Sequence, residues 1–325
     1  LGANEAPPAI ISVFLGETLT SVLDELEKNG NIKIEKGDNM YMKLGISKIP
    51  EIILDNTDRN RTSPFAFTGN KFEFRAVGSS ANSAGPMATL NVIVAEVLRQ
   101  MMKDIEKEIG AGKEKKIAIV NVLRKYIKDS KKIRFEGDGY SEEWEKEAAK
   151  RGLSNLKNTA DALDVYMKKE TKELYSRHNV MNELEIHARH EIMLEDFIKK
   201  VQIESRVMGD LALNHVIPTA ILYQNKLIEN ANGMKGLGLD NSAAIETIKD
   251  VSRHIEAVKS NVNAMIDARR KLNKEEDIVK RAKGYQKEVK EAFFDQIRYA
   301  VDKLELLVDD ESWPLVKYRE MLFIR

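Results

Sequence analysis

A short stretch of the chain collects the side chains best able to do chemistry. Asp58-Arg59-Asn60-Arg61 is followed by Lys71-Phe72-Glu73-Phe74-Arg75. On a strand, successive side chains face opposite sides, so Lys71, Glu73 and Arg75 would share one face and Phe72 and Phe74 the other. Arg59, Arg61, Lys71 and Arg75 around one carboxylate suit an anionic substrate, because arginine grips phosphates and carboxylates bidentately. A lone carboxylate among cations is also placed to hold a divalent metal that bridges phosphates. The chemistry implied is an anion-binding cleft with phosphoryl transfer as the candidate reaction. The plain alternative is a charged strand face turned to solvent.

Other candidates carry less. His187 and His190 are three apart, with Glu183 and Glu191 close by. A di-iron bundle needs a Glu-x-x-His pair from each of two helices, and no histidine here has Glu three residues before it. Surface charge at helical spacing is the expected reading. His178, His215 and His254 have no partner that the sequence names. Neither phosphate-binding glycine motif occurs, and Gly233 to Gly238 follows a helix, so it reads as a terminator. The basic runs Lys113–Lys116 and Lys131–Arg134 are balanced by Glu136, Glu142 and Glu143 and read as solvated faces.

The elements that must position these residues follow from punctuation and periodicity. Five of the seven prolines fall at or before Pro86, so residues 1–86 are mixed and loop-rich and the rest is helical. Pro7-Pro8 predicts a helix over 9–28. Residues 31–35 and 51–54 are β-like. Residues 63–68 and 71–77, joined through Thr68-Gly69-Asn70, predict a hairpin. Helices are expected over 85–109, 113–129 and 141–151, and then from 155 almost to the end, with a kink before Pro218. Ile248, Val251, Ile255, Val258, Val262 and Met265 form one heptad-like seam. Ile278, Ala282, Tyr285, Val289, Phe293, Ile297, Ala300, Leu304 and Leu307 form another. A connection near 271–276 predicts an antiparallel helical hairpin over about 243–308, projecting from the body of the protein.

Composition narrows the class. The 325 residues are 42% hydrophobic and 32% charged, with 52 basic and 52 acidic side chains. That supports a sizeable core and argues against wholesale disorder. Zero net charge disfavours a general nucleic-acid binder. The absence of cysteine excludes disulfides, thiol catalysis and zinc-thiolate sites, and a cytoplasmic location is the expectation. No apolar run is long enough to span a membrane. The chain opens at Leu1, inside what reads as a motif, which predicts a piece of a longer protein.

Four motifs together point to a known family. Leu1-Gly2-Ala3-Asn4-Glu5-Ala6-Pro7 resembles the mobile glutamate flap of glutamine synthetases. Asn60-Arg61-Thr62-Ser63 resembles their Asn-Arg-Ser/Thr motif. Lys71-Phe72-Glu73-Phe74-Arg75 resembles their strand of alternating basic, glutamate and arginine residues, and Ala81-Asn82 falls where they carry Ala-Asn. Order and spacing agree. Phe65 to Asn70, the long helical carboxy-terminal region, Ser312-Trp313-Pro314 and Lys317-Tyr318-Arg319-Glu320 are similar to the type III, large-subunit branch.

The resemblance implies an α+β protein. Residues 1–110 would be the carboxy-terminal part of the catalytic β-sheet or barrel domain, and 111–325 a helical carboxy-terminal domain. It implies ligation of ammonia to glutamate with ATP through a glutamyl phosphate, and Mg2+ or Mn2+ as cofactor. Glu5 would be the flap glutamate that helps deprotonate ammonium, and Arg61 would contact the transferring phosphate. Glu73 would be a metal ligand, Arg75 would hold the glutamate carboxylate, and Lys71 would contact the nucleotide. Another arginine of better-studied branches is replaced by Ala66. The partners implied are glutamate, ammonia, ATP and further copies of the chain in stacked rings, a dodecamer, with no nucleic acid and no membrane. The remaining metal ligands of the family would lie upstream of Leu1, so the chain alone is expected to be inactive. The runner-up is a non-catalytic helical oligomerisation module.

Overall fold

In the computed structural model, residues 9–29, 41–42, 52–53, 63–69, 71–75 and 82–322 are described. Among them the protein is mostly helical, with two small two-stranded antiparallel sheets. The chain divides into two compact units. One comprises residues 1–157 and 168–183, the other residues 158–167 and 184–325.

In the first unit, helix α1 spans Gly16–Asn29, not 9–28. The backbone of Val13 is already committed, donating to Ile133 O at 2.9 Å and accepting from Phe135 N at 3.0 Å. Gly16 then takes φ 75°, a left-handed conformation that glycine adopts without a steric penalty. Glu136 caps the helix: its carboxylate accepts from Leu15 N at 3.1 Å, Gly16 N at 3.0 Å and the Thr20 hydroxyl at 3.0 Å. Ile10 and Trp144 are buried, and Phe135 stacks on Trp144 at 3.8 Å. These contacts hold residues 9–15 against the 131–136 segment.

Strands β1 (Tyr41–Met42) and β2 (Ile52–Ile53) pair antiparallel. Strands β3 (Phe65–Phe67) and β4 (Phe72–Phe74) form the second hairpin. Residues 31–35 lie outside the described residues. Helix α2 spans Ala84–Gly110 and packs on α3, Lys115–Asp129. Helix α4 spans Glu142–Lys150, and its N-cap hydroxyl on Ser141 accepts from Trp144 N.

In the second unit, α5 (Thr159–Leu163) precedes α7 (Glu183–Leu211), α8 (Ile217–Gly236) and α9 (Ser242–Leu272). Helix α6, Lys169–Arg177, belongs to the first unit. A π-helical stretch, Ala212–Val216, sits directly before Pro218. Proline has no N–H and crowds the carbonyl four residues back, and a wider turn relieves both problems. Helix α10 (Ile278–Gly284) runs through a π-helical segment, Tyr285–Phe294, into α11 (Asp295–Leu307).

That π segment has a sequence cause. Tyr285, Val289, Phe293 and Ile297 are spaced by three successive fours. On a regular α-helix each such step would drift the stripe by roughly 40°. Wider turns rotate less per residue, so the stripe stays aimed at α9. Val251, Val258, Val262 and Met265 of α9 and Tyr285, Val289 and Leu304 opposite are all fully buried. Helix α9 also packs along α8, so the 243–308 segment does not stand alone: it is part of one core with Ala212, Val216 and Ala220.

Candidate active-site hairpin

Strands β3 and β4 pair with Phe65 opposite Phe74, Ala66 opposite Glu73 and Phe67 opposite Phe72. Gly69, at φ 87°, makes the turn, and Thr68 N donates to Lys71 O at 2.8 Å. The ladder continues past the strand through Arg75 N to Pro64 O at 2.8 Å. The buried Ser63 hydroxyl accepts from Ser12 N at 3.2 Å and Phe65 N at 3.3 Å, which ties the hairpin to the segment before α1.

The charged face gathers on one carboxylate. Lys71 Nζ lies 3.0 Å from Glu73 Oε1, and Arg75 Nη2 lies 3.0 Å from Glu73 Oε2, with Arg75 Nε at 3.2 Å from the same oxygen. The Lys71 ammonium, followed by the Arg75 guanidinium, holds the Glu73 carboxyl below its usual range. Opposite Glu73, Ala66 is 1% exposed, so no cation comes from β3 at that position.

On the apolar face Phe72 stacks on Phe65 at 4.9 Å and tilts against Phe67 at 5.2 Å, and it stays 49% exposed. In a two-stranded hairpin the nearest apolar surface is the cross-strand neighbour, and aromatic pairs are favoured there.

Lys71, Glu73 and Arg75 are thus brought together. Glu5 and Arg61 lie outside the described residues, as do Asp58 and Arg59. Asn82 is described, and its side-chain oxygen accepts from Ala84 N at 2.8 Å, setting the entry to α2. Glu73 offers the hard, deprotonated oxygen donor that Mg2+ or Mn2+ takes. Both its oxygens are engaged by cations, however, and no group of three potential metal ligands occurs among the described residues. These residues alone do not make a metal centre.

Sequence reasoning missed a second charged cluster. Glu96 is 7% exposed on the apolar helix α2. Arg99 pairs with both its oxygens at 2.7 and 2.9 Å, Gln100 donates at 2.7 Å and Arg177 at 2.6 Å, and His178 Nε2 lies at 2.8 Å. Arg99 first, then His178, Gln100 and Arg177, hold its carboxyl far below the usual range. This cluster locks the end of α6 onto α2. The sequence signal was the acid interrupting an apolar stripe, with Arg99 and Gln100 three and four residues on. His187 and His190 build no metal group among the described residues, and His190 is buried at 3% exposure.

Residues 118–235 match the family model of the glutamine synthetase C-terminal domain. Over its whole length the chain is 46% identical to a glutamine synthetase of Bacteroides fragilis (strain YCH46), covering 45% of that protein. It is 36% identical to the type-3 glutamine synthetase of Dictyostelium discoideum, again over its whole length and 44% of the relative. Along its whole length the chain is similar to glutamine synthetases. A third glutamine synthetase, from Butyrivibrio fibrisolvens, is 32% identical over 99% of the chain and 45% of its own length. The chain therefore spans less than half the length of these relatives. Similarity to the glutamine synthetases extends across the β3–β4 hairpin as well as the helical region. No helix among the described residues is long and apolar enough to cross a membrane.

Proposed function

We propose that the chain is the carboxy-terminal part of a type III glutamine synthetase and supplies part of its active site. The observation that carries this reading is the convergence of Lys71 and Arg75 on Glu73, within a chain similar to glutamine synthetases from end to end. The reaction is ATP-dependent. The glutamate side-chain carboxylate takes the terminal phosphoryl group of ATP, releasing ADP. Ammonia then attacks the acyl carbon and phosphate leaves, giving glutamine.

In this reading Arg75 leaves Glu73 in part to pair with the substrate carboxylate. Lys71 neutralises nucleotide phosphate charge. Arg61 stabilises the transferring phosphoryl group, and Glu5 covers the site and accepts a proton from ammonium. These are positioning and charge-neutralising roles, the terms that dominate phosphoryl transfer. Glu73 would be one of several ligands holding Mg2+ or Mn2+, the others supplied from elsewhere, and the cation would contribute neutralisation of phosphate charge.

We further propose that residues 1–110 complete the β-sheet or barrel of the catalytic domain and 111–325 form the helical carboxy-terminal domain. The family match beginning at residue 118 supports that division. The α9–α11 hairpin would serve assembly into stacked homo-oligomeric rings, a dodecamer, in the cytoplasm.

Steady-state kinetics of the intact enzyme tests the reading. Arg75→Ala is expected to raise the KM for glutamate by about 10- to 100-fold, the loss of one charge-assisted contact worth roughly 1.5–3 kcal/mol. An unchanged KM and kcat would refute the assignment and favour the non-catalytic helical module.

A further inference from the structure

A cleft of about 1070 Å3 opens between α9 and α11, within the second unit. That is near the upper end of the range for small-molecule sites, roughly 300–1,000 Å3. Ala257 of α9 and Ala300 of α11 line it, and Leu306 and Leu307 add apolar surface at one end. Small side chains where the two helices pack leave the room that larger ones would fill.

Three further side chains meet in this cleft. Tyr299 and Lys303 are four residues apart and so share a face of α11. His254 comes from α9, which packs along α11. The His254 and Tyr299 rings lie 6.4 Å apart, edge to face at 67°, and Lys303 Nζ stands 5.2 Å from the centre of the Tyr299 ring. Tyr299 is 61% exposed, so much of its ring surface is open to a ligand.

Lys303 brings a charge that no neighbouring acid answers. Its side chain is half-buried. Among the described residues it pairs with no carboxylate, and its ammonium meets the π face of Tyr299. The nearby acids are occupied or distant. Asp250 is held by Arg253 at 2.7 Å, and Asp302, next in sequence, by Arg298 at 2.6 Å. Asp295 also lines the cleft, but it precedes Lys303 by two helical turns, about 12 Å along the axis. His254 supplies no negative charge. Burial, then Arg253 and Lys303, hold its pKa below the ordinary value against the opposing pull of Asp250. The neutral ring offers one donor and one acceptor.

We propose that the α9–α11 cleft binds a small aromatic carboxylate. The carboxylate would pair with Lys303, the ring would pack on Tyr299, and the apolar body would cover the alanines and Leu306. Aromatic rings pack well on one another edge to face or offset, and one carboxylate matches one ammonium. A phosphate monoester would bring a second charge, and the second cation of the cleft, Arg253, is already held by Asp250. The site shares no residue with the Glu73 hairpin.

Titration calorimetry of the full chain at neutral pH and constant ionic strength tests it, with 3-phenylpropionate as the probe. Saturable binding at millimolar or lower concentration is expected. 3-Phenylpropan-1-ol keeps the ring without the charge, and acetate keeps the charge without the ring; each should bind about 10-fold more weakly or worse. Lys303→Gln should weaken binding of the probe by about 10-fold, and Tyr299→Leu by about 3- to 10-fold. Both side chains reach solvent, so both variants should keep the parent's melting temperature. Arg75→Ala should leave binding unchanged. Absence of saturable binding would overturn the proposal, as would equal binding of the alcohol or of acetate. So would binding that survives Lys303→Gln but is lost in Arg75→Ala, which would place the carboxylate at the hairpin.

Discussion

At the scale of single residues, the two charged clusters differ in what their carboxylate is free to do. Glu73 is more than a third exposed and meets one cation on each oxygen, so its partners can be exchanged for ligands at little cost in desolvation. Glu96 is buried and saturated by Arg99, Gln100, Arg177 and His178, so removing any of these would strand charge in the interior. The first arrangement suits a site and the second a lock. The proposed role of Glu73 therefore has its own test. Glu73→Gln keeps the shape and removes the charge. In the intact enzyme it is expected to raise the Mg2+ concentration needed for half-maximal kcat by about 10- to 100-fold, as for a lost or displaced ligand. A Mg2+ dependence identical to the parent's would exclude Glu73 from the metal's surroundings. The alternation that put Lys71, Glu73 and Arg75 on one face was legible from the sequence because a strand has a period of two. The Glu96 lock was legible only in its local half, Arg99 and Gln100 at helical spacing, because Arg177 and His178 lie 81 and 82 residues away.

At the scale of elements, helices were legible where apolar periodicity was long, as in α2, α3 and α9. What escaped were features decided by contacts across the chain. The start of α1 shifted because Val13 pairs with residues 133–135 and Glu136 caps the helix from 120 residues away. The π-helical segments at 212–216 and 285–294 respond to Pro218 and to the run of four-residue spacings, which the heptad pattern concealed. Gly284 shows how tightly this geometry is fitted. It is buried where α10 meets the π segment, and a Cβ there would collide with the Leu272 side chain at the end of α9. Gly284→Ala should therefore destabilise the second unit by about 1–3 kcal/mol through overpacking. Combining it with Leu272→Ala should cost less than the sum of the two single changes, because the methyl then has room. Urea denaturation of the two single variants and the double variant measures this. Strict additivity would mean that the collision does not set the fit.

At the scale of the whole molecule, the chain has two compact units with separate cores, and two units need not unfold in one transition. Their acid sensitivities should also differ. In the second unit, burial lowers the pKa of His190 and of His254 from the ordinary value of 6.5. Around His190 the charged groups are Asp164 beside α5 and His187 and Glu191 on α7; the acids oppose the shift and His187 adds to it, but burial dominates. Around His254, Arg253 and Lys303 add to burial and Asp250 opposes it. A histidine whose folded pKa is depressed binds its proton more readily when unfolded. Its neutral form is therefore fully tolerated above about pH 6.5, and stability falls as the pH drops below that value. In the first unit, the groups held low are carboxylates such as Glu96 and Asp24. Their contribution is complete above the ordinary carboxylate range and is lost only as the pH falls below about 4. Scanning calorimetry between pH 7.5 and pH 5 should accordingly show two transitions, with only the one belonging to residues 158–167 and 184–325 moving to lower temperature. The double variant His190→Leu/His254→Leu should hold that transition fixed over the same range. A single transition throughout, or a shift that persists in the double variant, would show that the units are not independent or that other groups set the acid response.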